Sequence, residues 1–146
     1  MTLVNIITPV TKSKKSFMQV RTISMGDATI GDVVRAVAND YQVAGTKVTP
    51  GSKKDEKAEV LTQSLAGRPG CHMFSSRMMD LKHYPIISHQ KSEDGTCLVT
   101  PARTMVVLDL KANKAGELKV VDPSGDQDVF KVTDRGLSQA VSAYAN

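Results

Sequence analysis

Tryptophan is absent from this 146-residue sequence, and only three Phe and three Tyr occur. Ribonucleoprotein sheets and oligonucleotide-binding barrels carry more rings than that for bases to stack on, so neither scaffold is expected. Cysteine is almost as scarce. Cys71 and Cys97 are the only two. With no export signal in view, reduced thiols and a cytoplasmic setting are the expectation. No apolar run approaches the roughly 20 residues that a membrane-spanning helix needs. The stretch Met1–Val10 is apolar but has neither a basic leader nor a small-residue cleavage site, and it reads as a strand rather than a signal peptide. There is no glycine-rich phosphate loop, no Gly-x-Ser-x-Gly elbow and no zinc-protease motif, and Gly67–Gly70 is turn chemistry. These absences point away from an enzyme.

What is present fits one globular domain over residues 1–146. The composition is 40% hydrophobic and 23% charged, which excludes wholesale disorder and fibrous repeats. A chain of this length buries roughly 68–70% of its unfolded surface, enough for a core without staples. No internal repeat is visible.

Residues 3–10 are rich in Val and Ile and predict a strand that stops at Pro9 and the polar stretch 11–16. Phe17–Ser24 alternates, with Met18 and Val20 on one side and Gln19 and Arg21 on the other, and predicts a half-buried strand. Asp27–Thr29 caps a helix whose stripe is Ile30, Val33, Val34, Val37, Ala38 and Tyr41, with a break at 45–51. Ser52 and Asp55 open a second helix, striped by Val60, Leu61 and Leu65 and ended by Arg68-Pro69-Gly70. Residues 71–89 fit either a short helix or an irregular strand. Strands are predicted at 104–111, 117–122 and 128–133, with the turn Asp122–Gly125 between the last two. Thr133 or Asp134 then caps a terminal helix with Leu137, Ala140, Val141 and Tyr144 in register. The order implies an α+β fold: a mostly antiparallel sheet, from N-terminal strands and a C-terminal meander, with two or three helices packed on it.

The net charge of +4 is unevenly spread. Residues 1–25 carry Lys12, Lys14, Lys15 and Arg21 and no acid. Residues 67–91 carry Arg68, Arg77, Lys82 and Lys91 against Asp80 alone. Residues 117–128 reverse the sign, with Glu117, Asp122, Asp126 and Asp128 against Lys119. Planar rings lie inside the basic stretches: Phe17, Phe74, His83 and Tyr84. Cations tracking phosphates, with rings for bases, suit a single-stranded nucleic acid. The bland alternative places Phe17 and Phe74 in the core and leaves the lysines to solubility. The predicted helices are nearly neutral, so a major-groove reading helix is disfavoured.

The expectation is therefore a protein that binds nucleic acid with low sequence specificity, single-stranded DNA before RNA or duplex, as an accessory to replication or transcription. Its contacts are Lys12, Lys14, Lys15, Arg21, Arg68, Arg77 and Lys82, with Phe17 and Tyr84 as rings. Four released counterions on the first stretch give a log–log salt slope of roughly −3. The alternative is a structural or protein-interaction protein, such as a viral assembly component or host-factor inhibitor, that mates basic and acidic faces.

Other constellations are weaker. Cys71, His72, His83, His89 and Cys97 supply zinc-type donors, but no Cys-x-x-Cys or His-x-x-x-His pair delivers two from one turn, so no cofactor is expected. Cys71–His72 lacks an orienting third group for nucleophilic catalysis. Asp109, Asp122, Asp126 and Asp128 are more simply solvated turn residues than a cation site. Lys53-Lys54-Asp55-Glu56-Lys57 reads as a solvated first helical turn. Met73, Met78 and Met79 form adaptable apolar surface, and part of it is expected at a subunit interface of a homo-oligomer.

Overall fold

The computed structural model describes residues 1–49, 54–80, 103–111 and 114–145. The chain runs β1 (Leu3–Lys12), β2 (Lys15–Ser24), α1 (Ile30–Lys47), α2 (Lys54–Ala66), β3 (His72–Asp80), β4 (Met105–Asp109), β5 (Glu117–Val121), β6 (Gln127–Lys131) and α3 (Asp134–Tyr144). The six strands form one sheet in the order β3-β2-β1-β4-β5-β6. Every neighbouring pair is antiparallel except β1 and β4. The α+β architecture expected from the sequence is thus present, with the N-terminal strands and the meander joined by one parallel seam.

Residues paired across neighbouring strands point to the same face, so the register sorts the side chains. One face carries Val4 and Ile6 of β1, Arg21 and Ile23 of β2, Val106 and Leu108 of β4, and Leu118 and Val120 of β5. All of these are buried, and the apolar ones join the helices in the main core with Val33, Val34, Val37, Leu61, Leu65 and Leu137. The opposite face carries a second buried cluster of Ile7, Met18, Val20, Val107 and Val121. Strand β1 therefore buries apolar groups on both sides, which is why it reads as a near-continuous Val/Ile run.

Two boundaries differ from the sequence expectation. Proline 9 does not end β1. The Leu110 amide donates to the Ile7 carbonyl, so Ile7, and by alternation Pro9, turn their backbone polar groups toward the β4 side. The pairing of β1 with β4 ends at Ile7–Asp109, and among the described residues the amide that Pro9 lacks has no strand to meet there. Gly45 likewise sits inside α1. The helix continues to Lys47 because Ala44 is fully buried and its carbonyl accepts the capping amide of Val48. Of residues 71–89, expected as either a short helix or an irregular strand, His72–Asp80 form β3, with a register shift opposite Thr22 and Ile23, and residues 81–89 lie outside the described residues. Residues 50–53 lie outside the described residues.

The helix caps follow the sequence signals. Thr29 accepts from the Asp32 amide at 3.2 Å, and Thr133 accepts from the Gly136 amide at 3.0 Å. Helix α3 is pinned to β6 at its other end: Phe130 and Tyr144 meet edge to face at 6.4 Å, and the Tyr144 hydroxyl donates to Asp128. Burial and that carboxylate push the Tyr144 phenol above its usual value.

Gly136 reverses an ordinary rule. A helical Gly→Ala change normally stabilises by roughly 0.5–1 kcal/mol. Here a Cβ would collide with the Lys131 carbonyl and lie 3.1 Å from the Lys131 nitrogen. Gly136→Ala is expected to cost about 1–3 kcal/mol by overpacking, read from urea denaturation. A gain in stability would refute the close approach of α3 to the end of β6.

Candidate nucleic-acid interface

Strand β1 pairs with β2 along its whole length, from Leu3–Ser24 to Lys12–Lys15, but with β4 only from Val4 to Ile7. On the other side, β3 reaches β2 only as far as Phe17–Asp80. Among the described residues the end of the β1–β2 hairpin therefore extends past its strand neighbours as a two-stranded arm. Ser13 and Lys14 make its two-residue turn, with φ of 53° and 63°. Such a turn wants Asn-Gly, and each residue with a side chain held there costs about 1 kcal/mol or more.

Three lysines occupy this tip. Lys12, Lys14 and Lys15 are exposed and have no ion-pair partner among the described residues. Lys12 and Lys15 stand directly opposite each other across the hairpin, a like-charge pair that weakens the ladder. Val10 and Phe17 are the next pair down the same face, both half-buried, and Thr8 and Gln19 follow. Burial on this face sets in at Thr8, which is fully buried, and is complete on both strands at Ile6 and Arg21. The exposed end of this face thus offers cations above a small apolar step with one ring.

The remaining expected contacts do not join it. Arg21 is 5% exposed. Its Nε and second guanidinium nitrogen approach Glu59 of α2 at 3.0 and 2.9 Å, and the third donates to the Thr8 hydroxyl at 3.2 Å. That guanidinium ties α2 to the sheet and is removed from the set of surface phosphate contacts. Arg68 grips Asp40 of α1 with two hydrogen bonds of 3.0 and 2.6 Å. It also precedes the end of β3 that pairs with Ser24, opposite the arm. Arg77 is exposed but pairs with Val20, on the face away from the helices. Phe17 shares a face with Lys12 and Lys15. Lys82 and Tyr84 lie outside the described residues, as do His83, His89 and Cys97. The two basic stretches thus do not merge into one groove among the described residues.

Several other charges are engaged locally. Lys57, expected as a solvated residue, lies 4.0 Å over the Tyr41 ring. Arg35 pairs with Asp32 at 3.2 Å, leaving α1 without a free cationic row. Asp122 accepts from the Ser124 hydroxyl and from the Ser124 and Asp126 amides; the hydroxyl bond leads in holding its carboxyl below the usual range. Asp109 stands apart from that turn. It is buried on β4 with Lys111 at 3.0 Å and Lys119 at 3.8 Å from one oxygen, while its other oxygen has no hydrogen-bond donor. Among the described residues no group of three or more metal-type donors converges. Cys71 is half-buried with its thiol 3.8 Å from the Pro69 carbonyl, and His72 is exposed.

Sequence reasoning missed the acidic partners, Glu59 and Asp40, and the overhang that singles out the tip lysines. Glu59 sits 38 residues from Arg21 and Asp40 sits 28 from Arg68, so no local spacing signals either pair.

The Asp40–Arg68 pair has a pH signature. Burial alone would raise the Asp40 carboxyl, but hydrogen bonds from Arg68, Ser64 and Asn39, with the Arg68 charge, outweigh it and hold the group below its ordinary value. A carboxyl depressed in the folded state contributes stability that is complete above its unfolded value of about 3.9 and is lost as pH falls through the folded value. Arg68→Ala is expected to cost about 2 kcal/mol at neutral pH, since the carboxylate stays buried while the lost guanidinium was partly solvated. The gap from wild type should shrink below about pH 4 in urea melts, and a gap constant into acid would contradict the pairing.

No protein-family model, no curated protein and no solved structure matches this chain.

Proposed function

We propose that this protein binds single-stranded nucleic acid, DNA ahead of RNA, with low sequence specificity, through the arm formed by β1 and β2. The observation that carries the reading is the overhang, with three lysines that have no ion-pair partner among the described residues gathered at a strained turn. Strained backbone and opposed like charges persist where a function outweighs their cost. Lys12, Lys14 and Lys15 supply phosphate contacts, and Phe17 with Val10 supplies the surface on which a base can rest. Lys82 and Tyr84, on sequence grounds, extend the path, while Arg77, exposed on the reverse face, lies off it. With Arg35 paired and α1 lacking a free cationic row, an extended backbone-tracking surface is favoured over a helix in a groove. Such a protein serves as a cytoplasmic accessory to replication or transcription, and an enzymatic role is not part of the reading.

A second reading has its own support. The edge strand β3 exposes Met73, Phe74 and Met78, which favours a structural or protein-interaction role such as a viral assembly component or host-factor inhibitor.

A salt series with single-stranded DNA, duplex DNA and RNA of equal length separates the two. With Arg21 committed to Glu59, three tip lysines release about three counterions, and the log–log slope for a single strand is roughly −2. Binding that is indifferent to salt, or no binding to any of the three, would refute the nucleic-acid reading. A large assembly seen by light scattering and unaffected by oligonucleotide supports the second.

A further inference from the structure

We propose that the helix-side face at the foot of the arm seats one unpaired nucleobase on Phe17, with the Gln19 amide and the Ser76 hydroxyl at its edge, a recognition that rests on the nucleic-acid reading above. The register lays this face out in rows across the strands. Lys12 and Lys15 form the first row, next to the turn. Val10, Phe17 and Asp80 form the second, and Thr8, Gln19 and Met78 the third. Helix α2 meets the sheet at the fourth, where Glu59 takes the buried guanidinium of Arg21. Between the lysines and α2 the face is open at Phe17 and Gln19, both half-buried, and at Met78, 46% exposed.

Side chains two residues apart on one strand stand about 7 Å apart. Lys15, Phe17 and Gln19 therefore present a cation, a ring and an amide at equal steps along β2. A nucleotide held at its phosphate offers the face of its base and then the edge, in the same order. The lysines stand on the turn side of Phe17, and Asp80 stands on its β3 side. A phosphate is thus drawn to the turn, which leaves its base over the ring. This charge complementarity selects a nucleotide rather than an apolar partner.

The edge contact goes beyond stacking. Gln19 Nε2 donates to Ser76 Oγ at 2.9 Å, from β2 to β3. That bond orients the amide and uses one of its two N–H groups, so the other N–H, the amide oxygen and the serine proton remain for a ligand. Every nucleobase carries a donor and an acceptor on its pairing edge, so this pair serves each of them. It selects unpaired over paired bases, because in a duplex that edge is taken and both faces are stacked. The Met78 thioether, beside Gln19, adds a polarizable contact to the base.

The test compares binding of a single-stranded DNA oligonucleotide with that of an abasic strand of equal length and charge, each over a salt series. Wild type should hold the intact strand roughly 5- to 150-fold tighter, the range for stacking one base on a ring. The salt slopes should be equal, because the phosphates are the same. Phe17→Leu keeps the position apolar and should bring the intact strand to the abasic level with the slope unchanged. Gln19→Ala should lose a smaller share of the preference. Equal affinity of wild type for both strands, with a normal salt slope, overturns the base site and leaves the phosphate reading in place. Failure of either strand to bind overturns both. A preference that survives Phe17→Leu, in a variant with an unchanged far-UV spectrum, also overturns the base site. Should that variant not fold, the wild-type comparison decides alone.

Discussion

The reach of β1 governs the layout of this molecule. Its first half is held between β2 and β4, with apolar groups buried on both faces; its second half has β2 alone. Any residue in the first half must be apolar or fully bonded, which is why Val4, Ile6 and Ile7 stand there and why Asn5 accepts from the Thr22 hydroxyl. In the second half that demand lapses. Proline is tolerated at position 9, and lysines accumulate at the tip. One strand thus supplies both the centre of the sheet and its most exposed charge.

Two ion pairs, each joining a buried group to a more exposed one, fix the helices. Arg21 extends from the β2 side of the core to Glu59, and Asp40 on α1 takes Arg68 from the turn after α2. Each joins segments that are distant in sequence. Removing Glu59 or Arg68, the more exposed partner, would strand a desolvated group, whereas the pairs themselves give geometric definition more than net stability. Total charge was therefore a poor guide to surface charge. Part of the positive excess is structural, and three lysines without an ion-pair partner among the described residues gather on the arm.

The periodic elements were legible. The alternation of residues 17–24 and the stripe of Val33, Val34 and Val37 predict a strand and a helix because each has one buried face. The meander turns and both threonine caps were legible for the same local reason. The parallel seam was not, because β1 and β4 lie a hundred residues apart and both read simply as apolar runs. The continuation of α1 through Gly45 was hidden because burial of Ala44, a tertiary effect, overrides the local propensity to break. For the candidate site, the tip lysines could be read from charge distribution alone. The diversion of Arg21 and Arg68 into pairs could not, and neither could the exposure of Phe74, which composition places in the core as readily as on an edge.

The central claim is that the arm holds charge the fold does not use. Replacing all three tip lysines, Lys12→Gln/Lys14→Gln/Lys15→Gln, tests it most directly, with thermal unfolding and single-stranded DNA binding measured on the same preparation. The account predicts an unfolding midpoint equal to or above wild type, because a like-charge pair is relieved, together with loss of oligonucleotide binding at moderate salt. A lower midpoint with binding intact would contradict it.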